Sequence, residues 1–229
     1  MLVYGRAGGT NGCEIASYRR LIALGMPPAA GKNPIDRRVA ALCKDGCYVR
    51  SPKDLAALSF KALGPSEIQK REHLFFALVD HRELVWFLGV FSSKQEHMCA
   101  FKFQDMVPDL EATLFAMDRG IAPSAPWLSN LPAGTPRRHP GGLFMIHNHP
   151  SGHAAFSDED IAATDHIAKM HEGLPFGLVD SLVVTRGGAF VSLLSEQERV
   201  AQKGYRDALA KIPFRSLLRR EIERIVGTP

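Results

Sequence analysis

The segment 147–160, which reads HNHPSGHAAFSDED, contains the residue types that bind a catalytic metal ion. An apolar run just before it predicts a strand over residues 143–149. Side chains at positions i and i+2 of a strand point to the same side, so His147 and His149 can direct both imidazoles at one point. Asp160 follows a glycine-containing turn, in the first turn of the next predicted helix, and its carboxylate can return to that point.

Two imidazoles and one carboxylate are the protein ligands of a catalytic zinc ion, because they leave the fourth tetrahedral position open for water. Structural zinc sites are usually closed by four protein ligands. Zinc lowers the pKa of a bound water to about 7 and polarises a scissile carbonyl. We therefore predict Zn²⁺ as the cofactor, with His147, His149 and Asp160 as its ligands, and we assign no other cofactor-binding residues.

The same segment has a simpler interpretation. Ser157 and Asp160 have the Ser-x-x-Asp spacing of a capping box at the start of a helix, which the apolar periodicity predicts over residues 157–171. The two histidines are drawn from nine in the chain, so their pairing can arise by chance. Capping alone does not explain why the box follows a His-x-His strand. A metal-bound carboxylate cannot cap fully, so we expect the two interpretations to compete.

Apolar periodicity predicts the elements that surround this segment. They are helices over 52–63 and 109–117, paired strands over 75–79 and 84–91, and a hairpin of strands over 178–184 and 189–194. The helix at 52 begins at Ser51-Pro52-Lys53-Asp54, a capping residue followed by proline. Strands and helices mix without strict alternation, which indicates an α/β fold in the loose sense, or α+β.

Three further regions carry weaker patterns. Short helices are expected over 18–24 and 35–42, and one or two helices rich in Arg and Lys over 198–226. Residues 122–142 form a loop rich in proline and glycine. Loops of this length are uncommon unless they are functional or disordered. We interpret the loop as a variable surface insertion, with a lid or substrate-binding insertion as the alternative.

Composition indicates an ordinary globular protein. The chain has 229 residues and a formal net charge of +4, which permits an acidic partner without requiring one. Its four cysteines show no paired CxxC spacing, which favours free thiols in a reducing compartment. The most apolar stretch, residues 75–91, is broken by four polar residues and does not predict a membrane span. The beginning of the chain lacks the pattern of a secretory signal, so we expect a cytoplasmic protein with no membrane partner.

Residues 147–160 form the full H-x-H-x(7)-S-x(2)-D pattern of the JAMM motif, and the chain resembles the JAB (MPN+) metallopeptidases that carry it. The run HNHPSG at 147–152 resembles the RadC branch of that superfamily. The resemblance covers about residues 49–195. It implies a JAB/MPN-like, cytidine-deaminase-like fold, with a central mixed β-sheet flanked by helices.

The resemblance also divides the chain. We expect an N-terminal extension of mixed helix and loop at 1–48, a RadC-like JAB/MPN domain at 49–195 and a basic helical tail at 196–229. RadC proteins usually carry a helix-hairpin-helix region before the domain, and residues 1–48 are too short for it. Two positions near the motif also depart from the family: Ser181 replaces a common histidine, and His153 stands where aspartate is frequent.

The family pattern implies two catalytic residues. Glu72, at the head of the first predicted strand, occupies the place of the general base that takes a proton from the attacking water. Glu67 and Glu83 are rival candidates, and a solvated helix-end residue is the simpler interpretation of Glu72. Ser157 is expected to donate a hydrogen bond to the developing oxyanion, a contribution of about 3 kcal/mol where the donor is preorganised.

The predicted function is a zinc-dependent metallopeptidase or isopeptidase. Its substrate is a peptide or protein, with an isopeptide-linked modifier among the candidates. The alternative is a non-catalytic RadC-like module in DNA repair or another nucleic-acid-associated interaction, for which the basic residues of 198–226 are the available feature. A third interpretation keeps the fold and makes the zinc structural or the site latent. The oligomeric state is not predicted.

Overall fold

The structure, a computed structural model, describes residues 2–4, 14–26, 28–29, 31–96, 99–119, 140–170 and 176–193. The strands are β1 (Leu2–Tyr4), β2 (Ser17–Ala23), β3 (His73–Asp80), β4 (Val85–Ser92), β5 (Cys99–Phe101), β6 (Pro140–His149), β7 (Leu178–Thr185) and β8 (Phe190–Ser192). The helices are α1 (Pro34–Leu42), α2 (Pro52–Lys70), α3 (Val107–Arg119) and α4 (Asp158–Met170). Most of the predicted 122–142 loop, and the predicted tail at 196–229, lie outside the described residues.

A six-stranded mixed sheet forms the centre of the molecule. Its strand order is β2-β4-β3-β6-β7-β8, and only β6 and β7 among these neighbours run parallel. β1 pairs in parallel with β5 in a separate two-stranded sheet. Helices flank the central sheet, so the predicted mixed α/β class is confirmed.

Both faces of the central sheet are buried, because successive side chains along β3 and β6 alternate between two apolar clusters. Phe76 and Met145 belong to the cluster that includes α3 and α4 residues. Phe75 and Ile146 belong to the cluster that includes α1 and α2 residues. This alternation explains why these strands read as nearly continuous apolar runs. It also fixes which face each polar residue at the end of β6 occupies.

The helix predicted over 52–63 continues to Lys70 with a break inside it. Gly64 has φ 71°, outside the helical region, and Pro65 starts the second half. The Arg38 side chain of α1 lies against Gly64, where an added Cβ would be only 2.9 Å from the guanidinium carbon. The sequence pattern ends at the break, whereas the chain resumes its helix beyond it. Among the described helices, α2 included, none is long and apolar enough to cross a membrane.

The helix expected over 18–24 is wrong, because this segment is the edge strand β2 and pairs with β4. Its register shifts between Arg20 and Ile22, so Leu21 and Ile22 are both buried and the alternation of a strand is lost. The helix expected over 35–42 is confirmed as α1. Residues 1–48 therefore contribute a strand to the central sheet and are more than a mixed helix and loop extension.

Candidate metal centre

Three potential ligand atoms converge where β6 ends and α4 begins. The Nε2 atoms of His147 and His149 lie 3.0 Å apart. Oδ2 of Asp160 lies 3.4 Å from Nε2 of His147 and 3.3 Å from Nε2 of His149. The structure therefore brings together all three residues that the sequence predicts as ligands, in a group that can hold a metal ion.

The triangle formed by these atoms has the size expected for ligands of one metal ion, a tetrahedral zinc ion included. Bonds of about 2.0–2.1 Å to nitrogen and oxygen at tetrahedral angles separate neighbouring ligands by about 3.3 Å. The observed separations of 3.0, 3.3 and 3.4 Å lie close to that value. Two nitrogens and one oxygen also suit zinc, and three protein ligands leave a fourth position for water or substrate.

The capping box is present in addition to the ligand geometry. The backbone N–H of Asp160 donates to Oγ of Ser157 at 3.2 Å, and the backbone N–H of Ser157 donates to Oδ2 of Asp160 at 2.9 Å. The same carboxylate oxygen faces both histidines. The cap and the grouping of the three side chains therefore occur together in this structure, and the cap holds the carboxylate towards both histidines.

Burial and charge keep two of the ligands in the protonation states that metal binding needs. Burial lowers the pKa of His147, which favours the neutral imidazole. Burial alone would raise the pKa of Asp160, but the imidazoles of His147 and His149 beside its Oδ2, together with the backbone N–H of Ser157, outweigh this and hold that pKa well below its usual range. The Asp160 carboxylate is therefore ionised, and the His147 ring offers a lone pair.

A tight turn orients His149. Its Nδ1 lies 3.1 Å from the backbone carbonyl oxygen of His153. A carbonyl only accepts, so this contact assigns the proton to Nδ1 and leaves the Nε2 lone pair facing the metal centre. The turn closes through a hydrogen bond from the N–H of Gly152 to the carbonyl of His149 at 3.1 Å, with Gly152 at φ 84°. Glycine is favoured there because other residues rarely adopt this backbone conformation.

Glu72 lies between the end of α2 and the start of β3. In the β3–β6 register Leu74 faces His147, and continuing that register places Glu72 beside His149. Glu72 is only 3% exposed, so it is not a solvated helix-end residue. Burial raises its pKa, and the charges of His149 and Asp160 act on it in opposite directions. A raised pKa suits a carboxylate that must accept and then return a proton.

The rival glutamates have other settings. Glu67 forms ion pairs with Lys70 and Arg71 on α2. Glu83 lies in the turn after the far end of β3 and pairs with Arg50. Of these three glutamates, Glu72 is therefore the one that the strand register places beside the candidate ligands.

Two residues support α4 behind the ligand. The Thr164 hydroxyl donates to the backbone carbonyl of Asp160 at 2.7 Å and contacts Oγ of Ser181 at 3.2 Å. The departure at Ser181 is thus accommodated by a small hydroxyl that meets Thr164 inside the fold.

The sequence analysis missed Asn148, which stands between the two histidines. It is 1% exposed, and its side-chain amide makes hydrogen bonds to three backbone groups. The sequence feature that could have revealed Asn148 is a polar residue on the apolar face of a buried strand, where a side chain must form several hydrogen bonds.

Comparison with known proteins agrees with this geometry. Residues 137–200 match the family model of the RadC-like JAB domain, a stretch that includes the whole 147–160 motif. A UPF0758 protein from Chloroflexus aggregans is 26% identical over 196 residues, which cover 82% of this chain and 73% of that protein. A UPF0758 protein from Thermotoga maritima is 39% identical over 54 residues, or 24% of each chain.

The family match and the fold point in the same direction. The matched domain includes the His-x-His strand, helix α4 and the parallel β6–β7 pair. The central mixed sheet with flanking helices is consistent with a JAB-like architecture. Residues 137–200 therefore resemble a RadC-like JAB domain, and the similarity to the UPF0758 proteins supports the same family.

Proposed function

We propose that this protein is a zinc-dependent hydrolase that cleaves peptide or isopeptide bonds. The observation that carries the proposal is the triangle of potential ligand atoms from His147, His149 and Asp160, with the buried Glu72 beside it. JAB domains include hydrolases, and a purely structural metal site would need no raised-pKa carboxylate next to it.

The metal, when bound, supplies an activated water at neutral pH and polarises the carbonyl to be attacked. Glu72 accepts the proton that this water loses, and its raised pKa allows it to keep that proton briefly. Glu72 then delivers the proton to the leaving nitrogen. One carboxylate therefore serves first as base and then as acid, which requires that it stay beside the ligands throughout.

In this proposal Ser157 donates a hydrogen bond to the tetrahedral oxyanion. Its Oγ accepts a hydrogen bond from the backbone N–H of Asp160, which fixes the oxygen while leaving the hydroxyl hydrogen available for donation. Because the capping box holds this hydroxyl before substrate arrives, little reorganisation is needed during the reaction.

The proposal is tested by measuring zinc content and cleavage together. The probes are a fluorogenic peptide library and a synthetic peptide with a lysine isopeptide branch. Wild type is expected to bind one zinc per chain and to cleave at least one probe. His149→Ala should lose both zinc and activity, whereas Glu72→Gln should keep zinc and lose activity by at least about 100-fold. Glu67→Gln, a matched change outside the metal centre, should retain both.

Three results would contradict the proposal. They are a wild type that binds no zinc, cleavage that survives in His149→Ala, and full activity in Glu72→Gln. Zinc binding without cleavage of any probe would instead favour the latent or structural interpretation. DNA binding that weakens steeply with salt would favour the nucleic-acid alternative, whose basic residues at 198–226 lie outside the described part of the chain.

A further inference from the structure

Asn148 lies on β6 between two metal ligands but faces the other side of the sheet. His147 and His149 point towards α4, and strand alternation turns the intervening side chain towards α2. There its Oδ1 accepts a hydrogen bond from the backbone N–H of His73 at 2.8 Å. Its Nδ2 donates to the backbone carbonyls of Ile68 and Arg71, both at 3.0 Å.

Two of these three bonds enclose Glu72. The carbonyl of Arg71 belongs to the peptide group before Glu72, and the N–H of His73 belongs to the peptide group after it. One side chain therefore holds both peptide planes that meet at the Glu72 Cα. The orientation of those planes sets the direction of the Cα–Cβ bond, and thus where the carboxylate can reach.

The third bond ties down the helix that leads to Glu72. The last carbonyls of a helix have no partner within it, and Asn148 satisfies that of Ile68 near the end of α2. The amide thus joins the end of α2, the start of β3 and the ligand strand. Both hydrogens of its NH₂ group and its oxygen are used, so a residue with a different donor pattern cannot replace all three bonds.

We propose that Asn148 is a positioning residue that fixes Glu72 relative to the metal ligands. This inference rests on the proposed function. Because Asn148 belongs to the strand segment that carries both histidines, its side chain links the peptide groups around Glu72 directly to the ligand strand. The backbone of Ser93 and Gln95 bonds the other edges of the same two peptide groups. A displacement of about 1 Å at a reacting group can cost about 100-fold in rate. The gain in rate from a rigid link of this kind therefore offsets the cost of burying a polar side chain in the sheet.

The test is Asn148→Ala in the full chain loaded with zinc. We expect kcat to fall by about 100-fold with KM and zinc content unchanged, because the ligands and the substrate surface are untouched. Hydrogen exchange at the His73 amide should become faster by at least tenfold, since that N–H loses its acceptor. The matched control is Asn33→Ala, which removes an asparagine that caps α1 through the N–H of Ile35. It should lose stability with kcat unchanged.

A folded, zinc-loaded Asn148→Ala with kcat within twofold of wild type would overturn the proposal. So would a loss of kcat that is matched by Asn33→Ala, because it would then reflect stability alone. If wild type cleaves nothing, the proposed function fails separately, and an unchanged His73 exchange rate in Asn148→Ala would overturn the positioning role.

If Asn148→Ala does not fold, NMR measurement of proton exchange at the Asn148 side chain of the wild type tests the proposal instead. Slowly exchanging Asn148 NH₂ protons would support the three-bond link. Exchange as fast as that of an exposed asparagine would overturn it.

Discussion

The molecule contains the same capping sequence twice, in two different settings. Ser-x-x-Asp begins α2 at Ser51–Asp54 and begins α4 at Ser157–Asp160. In both, the backbone N–H of the aspartate donates to the serine Oγ, at 3.3 Å in the first and 3.2 Å in the second. The local sequence therefore gives the same serine N-cap at both helix starts.

The two aspartates differ in what else they meet. Asp54 is exposed, and its Oδ2 accepts from the N–H of Arg50 and the hydroxyl of Ser51. Asp160 is fully buried, and its Oδ2 faces His147 and His149. A four-residue pattern thus fixes the helix cap, whereas the neighbouring strand determines whether the aspartate of that cap also faces potential metal ligands.

The comparison is tested most strongly by Asp160→Asn beside Asp54→Asn. Asparagine keeps a capping oxygen but removes the charge that balances a divalent ion. We expect Asp160→Asn to weaken zinc binding by more than the roughly 10–100-fold that the loss of an outer-shell partner costs. Asp54→Asn should leave zinc affinity unchanged. Competition with a chromophoric chelator measures the zinc affinity of both variants. Equal affinities in Asp160→Asn and Asp54→Asn would mean that the two aspartates do not differ in metal binding.

Serine replacement separates capping from catalysis. Ser51→Ala and Ser157→Ala should each lose about 1 kcal/mol of unfolding free energy, because each removes an N-cap acceptor. Only Ser157→Ala should also lose kcat, by about 100-fold, if its hydroxyl donates to the oxyanion. Urea denaturation and steady-state kinetics supply the two measurements. Equal kcat values in Ser51→Ala and Ser157→Ala would mean that Ser157 only caps its helix, as Ser51 does.

The burial of His73 should also affect how the free energy of unfolding depends on pH. Burial, with a smaller contribution from Arg71, lowers the pKa of His73 to about 4. The unfolded chain then gains a proton near pH 6.5 that the folded chain cannot accept, so stability is present above pH 6.5 and falls as the pH drops. Between pH 6.5 and 5 this histidine should cost about 2 kcal/mol.

Urea denaturation of the metal-free protein across that range measures the slope. His73→Gln should make the slope shallower, although His147, whose pKa is also lowered by burial, contributes in the same direction. An unaltered slope in His73→Gln would mean that this ring is hydrated in the folded protein.

The ligand set was predictable because it is encoded locally. The His-x-His pair needs only strand alternation, and the Ser157–Asp160 cap needs only a helix start. Glu72 was named only through resemblance to a family, since nothing in its own neighbourhood marks it, and its catalytic role stays a prediction. Its place depends on the β3–β6 register and on a side chain 76 positions away, Asn148, neither of which leaves a local signal.

The elements of the fold were likewise predictable where they are encoded locally and were missed where they depend on distant contacts. Strong apolar runs predicted β3, β4, β6 and β7 to within a few residues. The β2 strand was missed because a bulge interrupts its alternation. Helix α2 was predicted too short because Gly64-Pro65 is normally a stop signal, and only the packing of Arg38 against the break shows how the chain continues.

The uneven burial of the three ligands has a kinetic consequence. The side chains of His147 and Asp160 are fully buried, whereas 12% of the His149 side chain is exposed. On the proposed function, a bound ion would therefore lie closest to solvent at His149, whose ring is held by the carbonyl of His153. Release of such an ion should then be slower than from a site whose ligands are all exposed. Ligands of this kind bind several divalent ions, so metal availability should influence which one is bound.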